Sequence, residues 1–60
     1  MSEKLKAARE AAGLTQVELA EKVGCKQKDI SRWENGNREP VASTLKKLAQ
    51  ALGCSMDDLV

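Results

Sequence analysis

Apolar residues recur along this chain at helical spacing, in short runs broken by glycine. Leu5, Ala8 and Ala12 come first, followed by Gly13. Val17, Ala20 and Val23 follow at i, i+3 and i+6, with Leu19 adjoining, and Gly24 closes that run. Ile30 and Trp33 precede Asn35-Gly36, and Leu45, Leu48, Ala49 and Leu52 precede Gly53. Met56 and Leu59 form the last pair. Each run marks the inward face of a helix, because residues three and four apart share one side. Glycine ends a helix cheaply, since it alone enters the left-handed region without penalty. The pattern predicts helices over about 2–12, 16–23, 26–35 and 41–52, with a short one opened by Ser55. Nothing in it alternates as a strand does.

Start signals sharpen this picture. Thr15-x-x-Glu18 is a capping box, in which the hydroxyl takes one free backbone N–H and the carboxylate reaches back for another. Ser2 and Ser55 are further N-cap candidates, and Asp57 and Asp58 suit the positive end of the last helix. Lys26 and Val41 stand at helix starts without a capping acceptor. The stretch 16–35 then reads as helix, glycine turn, helix: a helix-turn-helix. Within it Ala20 is small where the two helices would approach most closely, and Ile30 and Trp33 are the large groups that hold the second helix.

These residues carry a resemblance. Leu5-x-x-x-Arg9, Gly13-Leu14-Thr15-Gln16, Glu18-Leu19-Ala20, Gly24, Ile30 to Gly36, Arg38-x-Pro40 and Leu45-x-x-Leu48-Ala49-x-x-Leu52-Gly53 occur in the order seen in the Cro and phage-repressor (XRE-like) helix-turn-helix domains. Nearly all of the chain resembles that family. The resemblance implies an all-α, five-helix repressor-like domain over residues 1–60. It also implies binding to double-stranded DNA, with the second motif helix in the major groove. The family is itself the standard example of that docking geometry. A homodimer on a palindromic operator is the expected assembly. Met56, Leu59 and Val60 are its candidate interface, being apolar with little chain left to cover them.

Composition limits the alternatives. Sixty residues make one domain with a small core. Hydrophobic residues at 42% and charged residues at 32% suit a globular chain. Trp33 is the sole aromatic residue, so the chain lacks the stacking platform of single-strand binders. Net charge is only +1, so any affinity for DNA must come from a local arrangement. The charged N-terminus does not read as a signal peptide, and no stretch is long enough to span a membrane. A cytoplasmic protein is expected. There is no histidine, no GxGxxG and no GxxxxGK[ST], so neither the usual nucleophile–base pairs nor a phosphate-cradling loop is encoded. No enzyme, no cofactor, no metal and no small-molecule substrate are expected. Cys25 and Cys54 read as small buried hydrophobes, the alternative being a disulfide or redox switch. Without histidine they cannot complete a zinc site.

Helix geometry assigns the DNA contacts. Counting about 100° per residue from Lys26, Ile30 falls at about 40° and Trp33 at about 340°, which sets the core side. On the same wheel Lys28 falls at about 200° and Asn35 at about 180°. Ser31 falls at about 140° and Arg32 at about 240°. Gln27 lies on the edge of that face, at about 100°. Arginine or lysine suits guanine and glutamine or asparagine suits adenine. Gln27, Lys28, Ser31 and Arg32 are therefore the expected base readers. Gln16, Asn35 and Arg38 are assigned to phosphate, and Lys26 to phosphate or to no contact. An ordinary solvated helix face would also carry lysine and arginine. Asp29 favours the helix dipole but opposes phosphate. Arg9 lies beside the inward face of the first helix and needs a partner; Glu34 is expected, as the resemblance also implies. The alternative function is a protein-interaction module of the same fold that binds DNA weakly or not at all. Fold alone does not separate the two.

Overall fold

Among the described residues, five apolar side chains are wholly removed from solvent: Leu5, Leu19, Ile30, Leu48 and Leu59. Each comes from a different structural element of the computed structural model, which describes residues 2–59. The elements are α1 (Ser2–Ala11), α2 (Gln16–Val23), α3 (Gln27–Glu34), α4 (Ala42–Leu52) and a 3-10 turn, Met56–Leu59. Ala20, Val23, Leu45 and Ala49 complete the buried core, and Trp33, Leu14, Leu52 and Met56 pack on its rim. α2 lies against α3 and α4, α1 against α3 and the 3-10 turn, and α4 against that turn. A helix of eight residues is marginal alone in water, so this shared centre is what stabilises each element. No strand occurs among the described residues. The expected five helices are four α-helices and one 3-10 turn. Met1, the side chain of Ser2 and Val60 lie outside the described residues, and the Ser2 cap and the Val60 interface assignment lie there with them.

Helix ends follow the capping chemistry, with small shifts. At α2 both halves of the capping box form: Thr15 Oγ1 accepts from Glu18 N–H at 3.1 Å, and Glu18 Oε1 from Thr15 N–H at 2.9 Å. These bonds hold the Glu18 carboxyl below the usual glutamate range. At α3 only the reciprocal half exists. Lys26 has no acceptor to offer, but Asp29 Oδ2 accepts from the Lys26 N–H at 3.4 Å. α4 starts at Ala42, with the uncapped Val41 before it. Asp58 Oδ2 likewise accepts from the Ser55 N–H at 3.1 Å. That segment has only four residues and winds as a 3-10 turn.

Two inward assignments are corrected. Ala12 is exposed and lies beyond α1. Gly13, at φ 72°, reverses the chain there, and Leu14 folds back onto the core instead. Val17 is 48% exposed. A spacing of three advances a helix by about 300°, so Val17 and Val23 differ by about 120° and cannot both face one core. The face that wins contains Leu19, Ala20 and Val23.

Candidate nucleic-acid interface

The turn that joins α2 to α3 fixes their relation. Gly24 has φ 75° and ψ 33°, and its N–H bonds to Ala20 O. The next N–H, of Cys25, also reaches Ala20 O, at 2.9 Å. The chain leaves α2 within two residues and enters α3 at once. Ile30 then anchors α3 in the core and Trp33 packs beside it.

The opposite face of α3 is open. Gln27, Lys28, Arg32 and Asn35 are exposed, and Ser31 is half-buried. Asn35 Nδ2 donates to Ser31 Oγ at 3.4 Å, so these two are already joined. Asp29 is half-buried, with its carboxylate turned back to the Lys26 N–H. It is therefore spent on the helix cap and is not aimed outward from this face. Lys26 and Arg38 are exposed at the two ends of α3. The face thus presents two cations and two amides with no carboxylate projecting among them.

Behind it lies a polar core. Glu34, at the end of α3, is the one buried charged residue among those described, at 8% exposure. Arg9 Nε donates to Glu34 Oε2 at 2.6 Å and Nη2 to Oε1 at 3.2 Å. The third arm, Nη1, donates to Leu14 O at 2.8 Å. The two side chains are 11% and 3% exposed, so the expected pair forms and is nearly dry. The hydrogen bond to Glu34 raises the Arg9 pKa above its ordinary value, against a smaller opposing effect of burial, so Arg9 stays charged. No buried side-chain nitrogen or oxygen among the described residues lacks a partner.

Gln16 has a role beyond that expected of it. Its Nε2 donates to Glu34 Oε1 at 3.1 Å, and its Oε1 accepts from Gln27 Nε2 at 3.4 Å. No local pattern signals this link, because its partners lie 18 and 11 residues away. One hydrogen on Gln16 Nε2 remains for a phosphate oxygen.

Leu59 is wholly buried inside its own subunit and has no surface to offer a partner, which corrects its place in the interface. It lands there because the 3-10 turn packs across α1 and α4. Met56 is half-buried on the core rim. Cys25 and Cys54 are free, half-buried thiols, not a disulfide. Burial pushes both pKa values up, with Asp29 adding for Cys25 and Asp58 for Cys54. No group of three or more potential ligands able to hold a metal occurs among the described residues. Among the described residues, no helix is long and apolar enough to cross a membrane. An open cleft of about 310 Å³ between α2 and α4, lined by Lys22, Lys47, Gln50 and Ala51, shares no residue with α3.

A glycine-turned pair of short helices within a small helical domain is the helix-turn-helix arrangement, which a class of DNA-binding domains uses to present its second helix. Residues 5–59 match the family described as Helix-turn-helix. The chain belongs to that family, in its Cro and phage-repressor (XRE-like) branch, whose members are DNA-binding transcription regulators. It is 46% identical over 52 residues to an uncharacterized HTH-type transcriptional regulator, y4dJ, of Sinorhizobium fredii, covering 87% of this chain and 68% of that one. It is 38% identical over 60 residues to the HTH-type transcriptional regulator ImmR of Bacillus subtilis, covering 100% of this chain and 47% of that one. To the antitoxin HipB of Escherichia coli it is 42% identical over 52 residues, covering 87% and 59%. The chain thus spans between about half and two thirds of the length of these relatives.

Proposed function

We propose that this chain regulates transcription as a cytoplasmic repressor that binds a palindromic operator as a homodimer, with α3 in the major groove. It acts by binding and not by catalysis. The observation that carries this reading is the exposed face of α3, where Gln27, Lys28, Arg32 and Asn35 project and the neighbouring carboxylate of Asp29 is held on the Lys26 cap. Gln27, Lys28 and Arg32, with Ser31, read base edges. Gln16, Lys26, Asn35 and Arg38 hold phosphate and set the register. A single α3 reads few base pairs, so two-fold pairing of half-sites about 34–36 Å apart supplies the rest. The rim around Met56 is the contact between subunits. Such a contact is small and weak without DNA.

The test is a polarisation titration against a selected duplex at several salt concentrations. Arg32→Ala is expected to lose about 1–3 kcal/mol at the preferred site and to relax preference at one base position. Arg38→Ala weakens all sequences alike and lowers the salt slope by about one. Saturation at one chain per palindromic duplex removes the dimer. Absence of salt-sensitive binding at micromolar protein removes DNA binding and leaves the interaction-module reading.

A further inference from the structure

The open cleft between α2 and α4 carries a charge pattern that the fold itself does not use. Lys47, Gln50 and Ala51 line it from α4, where a spacing of three and four residues puts them on one side of the helix. Lys22, in the last turn of α2, lines it from the other helix. Lys22, Lys47 and Gln50 are exposed, and Ala51 is half-buried against the core. Among the described residues, no carboxylate lies within ion-pairing distance of either lysine, and the Gln50 side chain makes no hydrogen bond. α4 contains no acidic residue at all. Glu18, four residues before Lys22, spends its carboxylate on the Thr15 N–H, and Glu21 does not line the cleft. Two like charges thus border one cleft without a counter-charge in it, although the whole chain is nearly neutral at +1. An anion seated between them gains from both.

We infer that this cleft is a docking surface for an acidic polypeptide segment of a partner protein, separate from the face that meets DNA. The lining selects polypeptide over other anions. A carboxylate answers each ammonium group. The Ala51 methyl group gives the CH2 stem of a glutamate an apolar surface to lie on. The Gln50 amide has both donors and an acceptor to offer. A peptide group, with its own N–H and C=O, satisfies both kinds, whereas phosphate only accepts and leaves the amide oxygen unused. A volume of about 310 Å³ is at the small end of ligand clefts and suits one or two side chains of an extended segment. No residue of the cleft belongs to α3 or to the set proposed to hold phosphate, so the acidic segment and a duplex do not compete. Exposed ion pairs are individually weak, so the contact is salt-sensitive and easily reversed. It gives a DNA-bound regulator a second surface through which to recruit another protein.

The experiment titrates the full chain, labelled with nitrogen-15, at low salt and follows its backbone amide shifts. One arm uses a capped polyglutamate peptide of ten residues, the other a single-stranded oligonucleotide of ten nucleotides. With the peptide, the largest shifts are expected at Lys22, Lys47, Gln50 and Ala51. Lys22→Gln combined with Lys47→Gln should weaken the peptide about tenfold, each exposed pair being worth about two- to fivefold. Lys28→Gln combined with Arg32→Gln should change peptide affinity by less than about twofold. Gln50→Ala should weaken the peptide and leave the oligonucleotide unaffected. Each of these side chains is exposed, and each variant is first shown to melt as the wild type does. Peptide shifts centred on α3, and removed by Lys28→Gln with Arg32→Gln, make the peptide a mimic of DNA and overturn the inference. An oligonucleotide that binds the cleft as tightly as the peptide makes it a nucleic-acid site and overturns it too. So does the absence of cleft shifts at millimolar peptide. The duplex titration that tests α3 is a separate measurement, and its failure leaves this result standing.

Discussion

Removing Glu34 tests how much of this fold depends on one buried ion pair. In Glu34→Ala, Arg9 keeps its bond to Leu14 O but loses both bonds to the carboxylate, and Gln16 loses its inner partner. A buried pair broken on one side costs about 3–5 kcal/mol, because a charge is left without compensation. The lower end applies here, since the Arg9 side chain is 11% exposed and can recruit water. For a domain of 60 residues, total stability is about 3–9 kcal/mol. A loss of about 3 kcal/mol therefore removes between a third and all of it. With roughly 4–8 °C per kcal/mol in a domain of this size, the melting temperature falls by about 12–24 °C. Thermal and urea melts followed by far-UV circular dichroism measure the effect. Arg9→Met combined with Glu34→Leu should recover most of the loss, because the uncompensated charge has gone. The reasoning is refuted if Glu34→Ala costs less than about 1 kcal/mol, since the pair would then behave as a solvated surface contact.

Gly24→Ala isolates backbone conformation, because an added Cβ meets nothing within 4 Å while φ is 75°; a loss of about 1–2 kcal/mol in melts is expected, and no loss would sink the argument from the left-handed turn. Glu18 has a lowered folded pKa, so its contribution is present above the unfolded pKa and is lost as the pH falls through the folded value. Glu18→Gln should therefore show a shallower decline of melting temperature on acidification than the wild type, and parallel curves would refute this. Cys25 and Cys54 have raised pKa values, so alkylation followed by mass spectrometry should be slower than in the urea-unfolded chain at neutral pH and should accelerate as the pH rises. Equal rates in the folded and unfolded chains would refute that assignment.

Local sequence decides where helices stop and start. Thr15 and Glu18 cap α2, and Gly24 turns the chain, because these effects act within four residues. Periodicity likewise places Leu5, Ile30, Leu45 and Leu48 inside. It does not say which flank of a helix meets its neighbours. Val17 and Leu19 both fit an inward pattern, and only the packing of α2 against α3 and α4 buries Leu19 and leaves Val17 out. Leu59 suits a core and an interface equally until the last turn closes over α1 and α4. The family resemblance makes the Arg9–Glu34 pair legible across 25 residues, but not the place of Gln16 between Glu34 and Gln27. Spacing along one helix carries no information about a hydrogen bond between helices. That bond exists because Ile30 and Leu19 set α3 against α2 at a distance where three polar side chains can meet, and this distance is a property of the assembled core.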